Sequence, residues 1–300
     1  MIFTVSHRTD YEYGQPVAIS HHVLHLAPRR MPNQHCHRHA VMVVPTPGIS
    51  LSDRDYFGNP VTFMTIQEPH DQLEIHARSV MEVTAPPRPD PKTHVVPWDA
   101  VYARMAADTT SEGLERFQFA FDSPHTLAGP AVGEYARESF PVGRPLAEAA
   151  VELTSRIFHD FKFDDSATEV STPVDEVFAN RHGVCQDFAH LQIACLRSLG
   201  LSARYVSGYL MTKPPAGTEK LMGVDASHAW VSVWIPDFGW LDLDPTNDMI
   251  PGEEHVAFAW GRDYGDVSPV NGVILGGGAH TVKVGVDVIP AESLERAEAS

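Results

Sequence analysis

Cysteine is scarce in this chain: three residues in 300, at Cys36, Cys185 and Cys195. An odd set with no framework spacing excludes a disulfide scaffold and leaves free thiols as the expectation. Positive charge is also scarce, with 22 Lys plus Arg against 39 Asp plus Glu and a formal charge of -17. That balance argues against nucleic acid and anionic lipid as partners. No run approaches the roughly 18 apolar residues that a bilayer-spanning helix needs. The start, "MIFTVSHRTDYEYG", has no basic region followed by an apolar one, so the expected chain is cytoplasmic and intact from Met1. A phosphate cradle is missing as well: "GGG" at Gly276–Gly278 does not open a helix after a strand and has no Lys-Ser/Thr behind it, and it reads as a hairpin turn.

Metal-site spacing is equally thin. "NQHCHRHAV" holds His35, Cys36, His37 and His39, and "SHHVLH" holds His21, His22 and His25. Neighbours on a strand point to opposite faces, and neither cluster has the spaced ligand pairs of a structural zinc site. No loop has recognisable calcium-oxygen spacing. The expectation is no metal and no cofactor. Internal repeats and low-complexity tracts are lacking too.

What is present is an ordinary globular composition, 43% hydrophobic and 20% charged, enough for a sizeable core. From Ile2 to about Thr84, β-type runs such as "IFTVSHRTDYEY", "HAVMVVPTP", "VTFMTIQ" and "QLEIHARSVMEVTA" are broken by Pro, Gly and Asn. They predict an N-terminal antiparallel β domain over 1–85. The proline-dense "APPRPDPKTHVVPW" suits a stiff extended linker and opens a connecting segment over 86–140.

Beyond it the period changes from two to about 3.6. After Pro145, the residues Leu146, Ala149, Ala150, Leu153 and Ile157 share one helical face. A second helix is expected from "STPVDEVF", with Ser171 or Thr172 as cap, Pro173 in the first turn and an end near Gly183. A third starts near Cys185, with Phe188, Leu191, Cys195 and Leu199 on one stripe and Gly200 as its stop. Strands follow in "ARYVSGYL", "HAWVSVWI", "GWLDLD" and "HTVKVGVDVI". These elements divide the remainder into a core over 141–260 and a C-terminal strand segment and tail over 261–300.

A cysteine is more often a packing residue than a nucleophile. Cys195, on the apolar stripe, fits packing. Cys185 does not, because it follows a glycine-containing turn in the first turn of its helix, where free N–H groups and the helix dipole favour a thiolate. A nucleophilic thiol needs a base, and the base needs an orienting group. "SHAWVSVWIPDFGWLDLDPTND" offers both on one hairpin. If Pro236 to Phe238 form the loop and Ile235 pairs with Gly239, Trp230 opposes Asp244 and His228 lies diagonally beside it, roughly 7 Å away. Asp242 would sit nearer the turn. Trp230, Trp234 and Trp240 alternately read as core aromatics or as the lining of a substrate passage.

"GVCQDFAHL", "SHAWVSVW" and "GWLDLDPT", in that order, resemble the core of the transglutaminase-like superfamily. "HRTDYEYGQPV", "DYFGNPVT" and the tail "WGRDYGDVSPVNGVILGGGAHTVKVGVDV" resemble its bacterial branch with an N-terminal β domain. The resemblance implies an α+β fold in which a papain-like core packs helices on an antiparallel sheet. It implies Cys185, His228 and Asp244 as a catalytic triad, without a cofactor, and acyl transfer from a peptide or protein amide through a thioester. Members of this branch are regarded as cysteine peptidases or amide hydrolases, with hydrolysis the expectation here; protein-glutamine transamidation and a non-catalytic binding module are the alternatives. The Cys185 backbone N–H is the expected oxyanion donor. Gln186 and Asn180 are weaker candidates for a second donor, Gln186 and Trp230 are candidate substrate contacts, and Asp187 is expected to stabilise the helix start.

Overall fold

The computed structural model describes residues 1–211 and 227–291. Alternating burial along the first strands follows the period-two pattern of the sequence and builds a seven-stranded antiparallel sheet. Five of its strands are β1 (Ile2–Leu24), β2 (Gln34–Val44), β3 (Ile49–Arg54), β4 (Pro60–Ile66) and β5 (His70–Val83), in the order β2-β5-β1-β4-β3, and two more come from the far end of the chain. β3, "ISLSDR", alternates apolar and polar residues only over Ile49–Ser52 and is exposed on both faces.

Three helices occupy the segment expected as linker and connection: α1 (Val101–Ala107), α2 (Ser111–Phe117) and α3 (Pro130–Ser139). α3 carries Pro130 in its first turn and buries Val132, Tyr135 and Ala136 against the helical core. α4 (Leu146–Asp160) buries all five residues of the expected stripe. A two-residue parallel pairing of β6 (Lys162–Phe163) with β7 (His182–Gly183) brackets α5 (Val174–Asn180). Neither expected cap is used there. Pro173 holds the cap position, and the Thr172 hydroxyl instead accepts the Glu169 N–H at 2.9 Å. The helix also ends at Asn180, three residues before Gly183, with Arg181 at φ 59° as its C-cap.

α6 (Cys185–Ser198) is the central helix, buried on every side from Asp187 to Arg197. Leu199 caps it, and Gly200 at φ 75° turns the chain out. α6 lies on a four-stranded antiparallel sheet of order β10-β9-β8-β11, formed by β8 (Ala203–Leu210), β9 (Ser227–Ile235), β10 (Gly239–Leu243) and β11 (His255–Gly261). Ala203, Tyr205, Ala229, Val231, Val233, Ile235, Leu241 and Leu243 join the helices in one core cluster. Among the described residues no helix is long and apolar enough to cross a membrane.

The chain then returns to its beginning. β12 (Val270–Gly276) pairs with Val17–Leu24 and β13 (His280–Pro290) with Phe3–Tyr13, both antiparallel to β1. Gly276–Gly278 is therefore not a hairpin turn. β12 and β13 run along successive stretches of β1, and the three glycines, at φ 100°, 84° and 62°, form a kink facing the irregularity at Gly14–Pro16. Only residues without a Cβ take three left-handed positions in a row without strain. Residues 292–300 of the expected tail lie outside the described residues.

Candidate active site

Local sequence fixes the thiol's position. Asp187 sits in the first turn of α6, and its Oδ2 accepts the Val184 backbone N–H at 2.8 Å and the Thr168 hydroxyl at 2.6 Å. A Cβ at position 183 would meet that carboxylate at 2.7 Å, so glycine is required beside the cap. Asp187 thus stabilises the helix start as the sequence implied. Cys185 is the first helical residue and is half-buried. The first bond of the helical ladder runs from the Phe188 N–H to the Val184 carbonyl, which leaves the Cys185 N–H outside it. The Sγ is 4.0 Å from the Ser227 carbonyl oxygen and within hydrogen-bond reach of His228.

The hairpin register read from the sequence is present. Ile235 pairs with Gly239, and the pairing runs to Val231 with Leu243. The strand then ends one residue early. Asp244 bridges back to Met249, its N–H donating to the Met249 carbonyl at 2.9 Å, and does not pair with Trp230. The turn lets Oδ1 accept the Thr246 N–H at 2.9 Å while Oδ2 faces His228 Nε2 at 2.7 Å. With Nε2 engaged, Nδ1 is the ring nitrogen left for the thiol. Asp242, the competing carboxylate, accepts Trp230 Nε1 at 3.2 Å.

Two further residues hold the carboxylate. Asn247 Nδ2 donates to Asp244 Oδ2 at 2.7 Å, and His255 Nε2 lies 3.1 Å from the same oxygen. His255 reaches it because Gly208 leaves space between β9 and β11: a Cβ there would lie 2.7 Å from Trp230 Cη2 and 2.2 Å from the Val256 carbonyl oxygen. Above this gap the Trp230 and His255 rings meet edge to face, with centroids 5.3 Å apart.

The electrostatics follow from burial and these partners. Burial disfavours the His228 cation, but the hydrogen bond to Asp244, the adjacent thiol and the carboxylate charge outweigh it and push the imidazole up to about 10. Burial would likewise raise Asp244, yet His228, His255 and Asn247 hold it far below the usual carboxylate range. Burial pushes Cys195 up to about 12 and also raises Cys36. A charged imidazole beside a thiol at a helix start is an arrangement suited to nucleophilic attack on a carbonyl.

Of the remaining candidates, Gln186 and Asn180 lie outside this constellation, and Trp230 packs beside its two histidines. Gln186 Nε2 is tied to the Val170 carbonyl at 3.0 Å, and Asn180 is exposed at the end of α5. Trp230 is 1% exposed and packs with Val206 and Ala257. Among the described residues, His228, Asp244 and His255 are the one group able to converge on a metal, with ligand atoms within 4.8 Å of one another. Their 2.7 and 3.1 Å contacts are those of hydrogen bonds already made. His35 and His37 stack edge to face with centroids 4.8 Å apart and form no such group.

Residues 3–82 match the family profile of the bacterial transglutaminase-like N-terminal region, and residues 135–245 match that of the transglutaminase-like superfamily. The chain belongs to the transglutaminase-like superfamily. An uncharacterized protein of Mycobacterium tuberculosis is 42% identical over 298 residues, covering 97% of this chain and 93% of the relative. A protein-glutamine gamma-glutamyltransferase of Pseudomonas aeruginosa is 30% identical over 122 residues, 40% of this chain and 18% of that protein. A solved structure from Cytophaga hutchinsonii, provisionally described as a cysteine protease, superposes with a TM-score of 0.75 at 19% identity, covering 97% of this chain and 91% of that one. The α+β architecture of an N-terminal sheet followed by the superfamily core is thus shared along nearly the whole chain. His255 and Asn247 lie beyond the matched core segment.

Proposed function

We propose that this chain is a cysteine-dependent amide hydrolase acting on peptide or protein substrates. The observation that carries this reading is the buried 2.7 Å contact between Asp244 and His228, with the Cys185 thiol within reach of the same ring. In the proposed reaction the Cys185 thiolate attacks the amide carbonyl carbon. The oxyanion is received by the Cys185 N–H, and collapse breaks the C–N bond as His228 gives its proton to the departing amine. Water then loses a proton to His228 and attacks the thioester, and the thiolate leaves. Asp244 keeps the imidazole oriented throughout, stabilises its charged form before the amine departs and after water is deprotonated, and takes no proton itself.

Transamidation is the second reading, supported by the partial similarity to a glutamyltransferase. Hydrolysis is favoured because water, at tens of molar, reaches any thioester that is not specifically shielded. The test is turnover of an amide substrate with and without a primary amine. Acyl groups appearing mostly on dilute amine would overturn hydrolysis. A binding module without chemistry is separated by limiting thiol labelling, in which Cys185 reacts before Cys36 and Cys195. The reverse order would remove the nucleophile.

A further inference from the structure

A cavity of about 530 Å³ opens on the sheet face opposite α6, between the four-stranded sheet and the chain around Met31 and Pro86. None of Cys185, His228 and Asp244 lines it. Its floor holds Arg204, only 6% exposed, whose guanidinium lies 4.2 Å from the Trp240 ring centroid and 3.7 Å from that of Trp260. Between these rings the guanidinium has no hydrogen bond or ion pair to any described residue, and its Nε is buried without a partner. Ser232, its cross-strand neighbour, has an unpartnered buried Oγ as well. A second guanidinium, that of Arg29, lies 3.4 Å over the other ring system of this wall, Trp260. A buried cation is ordinarily matched by a carboxylate, because desolvation without compensation is costly. Here the protein supplies aromatic faces, and the carboxylates of Asp242 and Glu115 act on the cation only from beyond ion-pair distance, which leaves its donor edge without a direct partner among the described residues beside an open cavity.

We infer that this cavity is a substrate subsite in which Arg204 receives a carboxylate of the peptide. The walls define the rest of the ligand. Trp234, Trp240, Trp260 and Phe119 offer apolar surface to the body attached to that carboxylate. Glu112, Glu115 and Asp242 line the cavity together with Arg30, Arg116 and Arg204, so its charges balance and a singly charged carboxylate fits better than a phosphate dianion. Register connects the site to the reacting groups: Arg204 pairs with Ser232, four residues along β9 from His228. That is about 13 Å at the rise of a strand, or about four residues of extended peptide. Trp230 fills the interval, its ring 6.1 Å from that of His228 and its Nε1 on Asp242.

The inference takes its ligand class from the proposed hydrolysis, and its test is read by binding alone. In the Cys185→Ala protein, which cannot turn substrate over, indole fluorescence would follow titration with acetyl-Ala-Ala-Ala-Phe as free acid, the same peptide as its C-terminal amide, and acetyl-Ala-Ala-Glu-Phe amide. A carboxylate peptide is expected to bind at least about tenfold tighter than the uncharged amide, as hydrogen bonds to a charged group allow. The free acid and the Glu peptide distinguish a chain terminus from an acidic side chain. Adding Arg204→Gln should bring all three within about twofold. Equal affinities before that substitution would overturn the inference without recourse to a variant of a buried residue, and inorganic phosphate binding more tightly than either carboxylate would overturn the ligand. Absence of turnover by the unmodified protein would sink the hydrolase and leave the carboxylate comparison standing.

Discussion

Along β9, Ala229, Val231, Val233 and Ile235 belong to the core shared with the helices, whereas His228, Trp230 and Ser232 occupy the alternate positions. The contrast continues on β10, where Leu241 and Leu243 pack inward and Asp242 accepts a hydrogen bond from Trp230. Both faces are buried, but for different reasons. The first is apolar and gains stability in proportion to the area removed from water. The second holds polar groups away from water, most of them tied to a partner but Ser232 Oγ without one, and its arrangement serves chemistry better than stability. Asp244 stands where the two meet, at the strand end, fully buried yet carrying four hydrogen-bond partners in His228, His255, Asn247 and the Thr246 N–H.

Substitutions that separate the faces test this contrast. The largest effect is expected for Cys185→Ala: amide turnover should fall by roughly 10⁴-fold or more with little change in the thermal midpoint. Residual turnover near the original rate would move the reaction elsewhere. Asp244→Asn should cost roughly 10³ to 10⁴ in kcat/KM by the logic of an orienting carboxylate. It should also lower the pKa of His228. The ring titrates near 10 in the folded protein, above its ordinary 6.5, so its cation contributes stability that is complete below pH 6.5 and lost as pH rises through about 10. The alkaline limb of the rate profile is therefore expected near 10, and in Asp244→Asn it should move toward 6.5. Imidazole proton shifts in NMR titrations would show it directly, and an unmoved limb would detach the carboxylate from the ring.

Leu243→Ala, one residue away on the apolar face, should act in the opposite way. It should remove about 2–5 kcal/mol of stability in urea unfolding while sparing kcat/KM far more than Asp244→Asn does. The smallest effect is expected for Asp242→Asn, within about tenfold in turnover, since it keeps an acceptor for Trp230 and never touches His228. Equal losses for Asp242→Asn and Asp244→Asn would erase the distinction between the two carboxylates.

The sequence made local geometry legible. Alternation and a three-residue turn sufficed to align Ile235 with Gly239, and the glycine, valine and acidic residues flanking Cys185 marked a helix start. It was silent where partners meet across the fold. His255 lies on β11, which pairs with β8, so nothing near it in the chain signals an approach to Asp244. Gly208 makes that approach possible, and a glycine inside a strand says only that something comes close, not what. Arg204 was hidden for a similar reason. Its two tryptophans come from different strands, β10 and β11, and a charged residue in a strand normally reads as a solvated face. α1 and α2 were missed because seven-residue helices carry too few turns to show a period.

β1 has neighbours on both sides along most of its length, and one whole side is supplied by β12 and β13 from the far end of the chain. During synthesis, the strand made first must wait for some 250 further residues before that side is covered. Until then its unpaired N–H and C=O groups form an open edge, the kind that recruits other chains. The sheet that begins the molecule is the last part of it to be finished.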